Sequence, residues 1–179
     1  MASKRQGKSA HGKVAGMSTD TYDQVFALAT EAGRQLQARG LLLATAESCT
    51  GGGVAQAITE VAGSSGWFDC GLVTYSNRAK MELLSVPEAL LAQHGAVSEE
   101  VAAAMAQGAL GRSEAGVALS TTGIAGPGGA VPGKPVGTVC FAWASNDAVH
   151  TERVVFSGDR RAVREQTVLH ALQGLLRFL

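Results

Sequence analysis

No apolar run in this sequence approaches the roughly 18 residues that a membrane-spanning helix needs. The N-terminus also lacks the apolar segment of a signal peptide. Those two absences point to a cytoplasmic protein. Cysteine is scarce: Cys49, Cys70 and Cys140 are odd in number, far apart and free of any C-x-x-C pattern. That argues against a disulfide framework and against a zinc site. His11, His94, His150 and His170 show no H-x-H or H-E-x-x-H spacing, so no metal is expected.

Net charge is missing as well, but the zero balance hides an uneven spread. Lys4, Arg5, Lys8 and Lys13 lie in residues 1–18, which contain no acid, leaving 11 of the 15 bases against all 15 acids in 19–179. The basic leader, with its Ser and Gly, reads as disordered, and Met17 is an alternative start. The body is a poor polyanion binder, so no direct nucleic-acid contact is expected, and no membrane contact either.

What is present fits a single domain over 19–179, with 46% hydrophobic and 17% charged residues across the sequence. Val25, Leu28, Ala29, Ala32 and Leu36 fall at helical spacing. Leu41–Thr45 reads as a strand buried on both faces. A glycine turn follows, then a helix carrying Val54, Ala57, Ile58 and Val61. Gly71–Tyr75 reads as a second strand. Ser76 or Asn77 then caps a helix to Leu84, and Pro87 separates a further short one. Ser98, Glu99 and Glu100 open a helix to about Leu110. Val117–Thr121 is a third strand, with a long Gly- and Pro-rich loop at 123–137. Thr138–Ala144 and Val149–Phe156 form a hairpin, and a last helix runs from Asp159 to about Phe178. Alternation followed by a hairpin predicts an α/β fold: a three-layer α/β/α sandwich on a mixed, mostly parallel sheet of about five strands.

Four blocks can carry chemistry. Ala44–Gly53 places Ser48, Cys49 and Thr50 at a strand-to-helix turn, where backbone N–H groups and a helix dipole can meet an anion or oxyanion. Ser48 needs a base to become a nucleophile, and Ser48 or Thr50 could equally serve as helix cap. Val73–Lys80 brings Tyr75 to a neighbouring strand end and Lys80 to a helix start, a poor place for a structural cation. As a base, Lys80 would need burial to lower its pKa; the plain alternative is a solvated lysine. Ser120–Gly129 adds Thr122 and glycines that allow close ligand approach. Gly128–Lys134 matches the start of a P-loop, but Pro135 stands where Ser or Thr is required and a strand follows, so that reading fails. Finally, Arg160, Arg161 and Arg164 crowd a helix start, where an anion such as phosphate would offset them.

Together these blocks resemble the CinA C-terminal domain family. The matching strings are A-x-A-E-S-C-T-G-G (44–52), V-A-G-S-S-x-W-F (61–68), G-x-V-T-Y-S-N-x-A-K (71–80), H-G-A-V-S-E-E-V (94–101), T-G-I-A-G-P (122–127), K-P-V-G-T-V (134–139) and F-x-G-D-R-x-x-V-R (156–164). The resemblance implies hydrolysis of the carboxamide of nicotinamide mononucleotide (NMN) to the acid and ammonia, in pyridine-nucleotide recycling, with neither metal nor cofactor. It implies Ser48 as nucleophile, Lys80 as base and Tyr75 as helper in proton transfer. Backbone donors would come from Cys49, Thr50, Gly51 and Gly52, leaving helix capping to Thr50. Thr122, Gly123 and Arg160 or Arg164 would hold the nucleotide. Ala130 and Gly133 depart from the family's usual glycine and acid. The N-terminal domain of longer CinA proteins is not expected, nor its pyrophosphatase-type activity. A homo-oligomer is expected.

Two other readings are open. Cys49 could be the nucleophile, although no histidine in the motifs would activate it. The chain could also be a non-catalytic nucleotide-binding module or a competence- and DNA-damage-associated partner protein.

Overall fold

The computed structural model describes residues 19–179; the basic leader at 1–18, with Met17, lies outside the described residues. Helix α1 (Thr19–Ala38) precedes β1 (Leu43–Glu47), and α2 (Gly53–Thr59) leads through a short 3-10 turn to β2 (Phe68–Val73). Three helices, α3 (Asn77–Leu84), α4 (Glu88–His94) and α5 (Glu99–Leu110), lead to β3 (Val117–Gly123). The hairpin β4 (Thr138–Ser145) and β5 (Val149–Val155) is followed by α6 (Arg160–Phe178).

The strands lie in the order β2-β1-β3-β4-β5, with β1 parallel to both β2 and β3. β4 runs antiparallel to β3 and β5. The sheet is mixed, with four of its five strands running one way.

Alternation along the strands builds two unlike cores. Leu43, Leu119, Phe141 and Trp143 pack toward α1, α2 and α6. Ala44, Ala46, Ala118, Ala142 and Ala144 face the other way and meet Ala102, Ala106 and Ala109 of α5. Small side chains on both partners let α5 lie close to the sheet, and its apolar sequence on nearly every side follows from that burial. Ser98 caps α5 by accepting from Val101 N at 3.3 Å, and Asp159 caps α6 by accepting from Ala162 N at 2.8 Å.

Strand limits differ from the sequence reading by two or three residues, and the differences matter for the site. β1 runs on through Thr45 and Glu47, because both are paired to β2 and to β3. β2 begins at Phe68 and ends at Val73, so Tyr75 stands beyond the strand. β3 extends over Thr122 and Gly123, which pair with Cys140 and Val139. Apolar runs mark buried segments; hydrogen-bond register decides where the ladder stops.

Gly174 of α6 sits directly against the Trp143 ring, with no room for a Cβ. Trp143 is buried and its Nε1 donates to Ala171 O at 2.9 Å, so the ring cannot yield easily. Gly174→Ala is therefore expected to destabilise by about 1–3 kcal/mol from overpacking, although alanine is the better helix former. A thermal melt checks this; an unchanged or raised melting temperature would contradict the packing account.

Candidate active site

β1 and β2 are parallel neighbours, but the chain leaves them toward opposite faces of the sheet. α2 follows β1 onto the α1/α6 side, and α3 follows β2 onto the α5 side. That arrangement opens a crevice at the carboxyl ends of the strands. Ser48 is the first residue beyond β1, its N–H donating to Thr121 O at 2.9 Å. Gly51 and Gly52 then turn the chain at φ 62° and 92°, values that favour glycine.

On the β2 side, Thr74 N donates to Glu47 O at 2.8 Å, which ties the two strand exits together. Ser76 caps α3 by accepting from Ala79 N at 3.1 Å, resolving the choice between Ser76 and Asn77. Lys80 follows in the first turn, and it is not the solvated lysine its position would suggest: its exposure is 1%. Its Nζ donates to Ser48 Oγ at 3.0 Å and to Thr74 O at 2.8 Å. Burial holds its pKa below the ordinary lysine range.

A cleft of about 190 Å³ is lined by Ser48, Cys49, Tyr75, Lys80, Thr122, Gly123 and Arg160, together with Ala96, Val97 and Ala125. Tyr75 stands at its mouth, and Arg160 Nη2 donates to Tyr75 Oη at 2.8 Å. Thr122 lies in the wall with its hydroxyl donating to Ala96 O at 2.7 Å. A Cβ on Gly123 would meet Val139 and the Cys49 sulfur, so only glycine lets β3 pass this close. A larger groove of about 530 Å³ lies behind the turn, between α1, α2 and α6, and contains neither Ser48 nor Lys80. The smaller cleft is the one that joins a buried amine to a hydroxyl.

The family model of the CinA C-terminal domain matches residues 25–179. The nicotinamide-nucleotide amidohydrolase PncC of Pseudomonas putida is 54% identical over 154 residues, covering 86% of this chain and 96% of that protein. The enzyme of the same name from Escherichia coli K12 is 53% identical over 157 residues, covering 87% and 94%. The chain belongs to the CinA C-terminal domain family. Among solved structures, a CinA-superfamily protein of Escherichia coli superposes with a TM-score of 0.85 at 38% identity, over 93% of this chain and 96% of that one. The competence/damage inducible protein CihA of Agrobacterium tumefaciens gives 0.84 at 43% identity, over 86% and 94%.

Within this CinA-family chain, one expectation for the turn needs correction. Thr50 does not cap α2: its hydroxyl pairs with that of Thr121 at 2.8 Å, because the two left-handed glycines carry it toward β3. The cap is Glu47, which the sequence reading missed. Its Oε2 accepts from Val54 N at 3.0 Å and its Oε1 from Ala55 N at 2.8 Å. The available signal was an acid closing a strand buried on both faces.

Arg164 lies behind the turn, where Nε donates to Cys49 O at 3.1 Å and Nη2 to Thr50 O at 2.8 Å. Gly51 N donates to Ser48 O at 3.1 Å, while the N–H groups of Cys49 and Thr50 face the Cys49 sulfur. Cys49 is buried and its thiol is pushed up to about 12, chiefly by desolvation. Those two N–H groups and Lys80 favour the thiolate but do not offset burial. That environment disfavours the thiolate, the reactive form of Cys49.

Native protein at neutral pH should therefore react with a thiol reagent at the half-buried Cys70 well before the buried Cys49 and Cys140. Quantified labelling followed by peptide mapping checks this, and rapid modification of Cys49 would overturn it. A second expectation concerns stability. The folded-state pKa of Lys80 is lowered, so between that value and the ordinary one the unfolded chain binds the extra proton. Lys80's contribution to stability is thus full above its ordinary pKa and is lost as pH falls through the folded one. Denaturant melts across this range should show wild type gaining on Lys80→Met as pH rises.

Proposed function

We propose that this chain hydrolyses the carboxamide of NMN to nicotinate mononucleotide and ammonia, with Ser48 as nucleophile and Lys80 as base. The observation that carries the reading is the 3.0 Å contact between Lys80 Nζ and Ser48 Oγ at a site where both groups are buried. It is supported by the names of the amidohydrolase relatives, which align along nearly their whole length.

A lysine whose pKa is held down by burial supplies a neutral amine, and a neutral amine can take the proton of Ser48. As that proton moves to Nζ, Oγ attacks the carboxamide carbon and the carbonyl electrons move onto oxygen. Backbone N–H groups of the turn, those of Cys49 and Thr50 with Gly52 beside them, serve as donors to that oxyanion. Collapse breaks the C–N bond, and the leaving nitrogen takes the proton from the Lys80 ammonium, Tyr75 assisting, and departs as ammonia. Water then attacks the acyl-serine ester, giving up a proton to Lys80, and Ser48 recovers its proton as the acid leaves. Thr122 and Gly123 line the nucleotide's path. Arg160, at the mouth beside Tyr75, is the better placed of the two arginines for the phosphate, since Arg164 already serves two carbonyls of the turn. Pyridine-nucleotide recycling in the cytoplasm, by a homo-oligomer, goes with this reading.

Ser48→Ala is expected to lower ammonia release from NMN by at least ~10³-fold with circular dichroism unchanged. Lys80→Ala should cost about 10²–10⁴-fold, the range for a positioned base. Full activity of Ser48→Ala would remove the serine mechanism. NMN binding by calorimetry without turnover in wild type would indicate a binding module instead.

A further inference from the structure

Glu47 takes no part in the mechanism above, yet it is an acid with 0% exposure standing immediately before the nucleophile. Among the described residues no base lies within ion-pair distance of it. A carboxylate buried without a cation is a costly choice. Capping alone does not require it, since Ser, Thr, Asn or Asp at the cap position serve that end. We propose that Glu47 is a positioning residue that holds Ser48 and Lys80 in their mutual geometry. This inference rests on the serine–lysine reading of the same site.

Three sets of contacts carry it. The two carboxylate oxygens take one N–H each from Val54 and Ala55, at 3.0 and 2.8 Å, which fixes the start of α2 relative to the end of β1. Ser48 lies within the segment thus closed. The main chain of the same residue reaches the other partner: Glu47 O accepts from Thr74 N at 2.8 Å, and Thr74 O accepts from Lys80 Nζ at 2.8 Å. One residue therefore anchors the nucleophile's turn through its side chain and the base's platform through its backbone. Thr45 Oγ1, directed at Glu47 Oε1 from 3.4 Å, adds a longer contact from the strand itself.

There is a consequence for where charge can sit. The N-terminus of α2 would ordinarily attract an anion, but the Glu47 carboxylate already fills it. A developing oxyanion is left to the N–H groups of the turn, on the cleft side.

Comparing Glu47→Gln with Glu47→Asp separates this role from simple packing. Gln keeps the shape but presents an NH₂ to one of the two helix N–H donors; Asp keeps the charge and both acceptors on a stem one methylene shorter. For ammonia release from NMN, Gln is expected to lose about 10²-fold in kcat, as for a small misplacement of reacting groups. KM should stay within about threefold, because the nucleotide-holding residues come from β3 and α6. Asp should retain more kcat than Gln. A purely packing role predicts the reverse order, Gln above Asp, and that order or a wild-type kcat for Gln would overturn the proposal.

Ser48 labelling by a fluorophosphonate gives a readout that needs no NMN, and Gln should slow it while leaving the melting transition cooperative. Wild type that labels at Ser48 but releases no ammonia would count against NMN as substrate and leave the Glu47 comparison to the labelling rates. Wild type that does neither would remove the nucleophile, and the proposal with it. Should neither Glu47 variant fold, Thr45→Val decides: a fall in kcat or labelling at constant KM supports the proposal, and no change in either overturns it.

Discussion

Ser48 and Lys80 meet because β1 and β2 lie side by side and parallel, while their following helices leave on opposite faces. A parallel pair puts both carboxyl ends at one edge, and diverging exits leave space there. The Glu47–Thr74 backbone bond then sets how far each strand runs before it turns. Were that register shifted by one residue, every side chain beyond it would point to the other face. The cleft, the buried amine and the hydroxyl all depend on this one pairing.

Burial of polar groups is what gives this edge its chemistry. Thr45, Glu47, Thr50, Thr74, Lys80, Thr121 and Thr122 have almost no exposure, in an α/β core that is otherwise mostly apolar. Most are tied to named partners, which holds them rigid. Thr74 differs: its hydroxyl is buried without a hydrogen-bond partner while its carbonyl serves Lys80. The same desolvation acts in opposite senses on two neighbours. It lowers the pKa of Lys80, favouring the neutral amine, and raises that of Cys49, favouring the neutral thiol.

Much of this was legible in the residues. Apolar periodicity and capping residues placed the helices, and Ser98 and Asp159 cap as their positions suggest. Ser48, Tyr75, Lys80, Thr122 and Arg160 were singled out from separate blocks, and they line one cleft. The misreading of the α2 cap has a physical cause. Thr50 looked like a cap because it precedes a helix, but the left-handed glycines redirect it, and the cap comes from a strand residue further back. Arg164, singled out for its place near a helix start, donates to two backbone carbonyls of the turn. Such assignments depend on where a side chain points after a turn, which spacing does not encode.

The sequence by itself determined the helices and strands, the layered α/β class and the small set of polar residues that could do chemistry. It could do so because period, capping and glycine placement are local properties of the chain. Only the tertiary structure decided that Lys80 is buried against Ser48, that Glu47 caps α2 and that Cys49 is buried. Those outcomes depend on desolvation and on contacts between residues far apart in sequence, 32 positions for Lys80 and Ser48. Neither exists until β1 and β2 have paired.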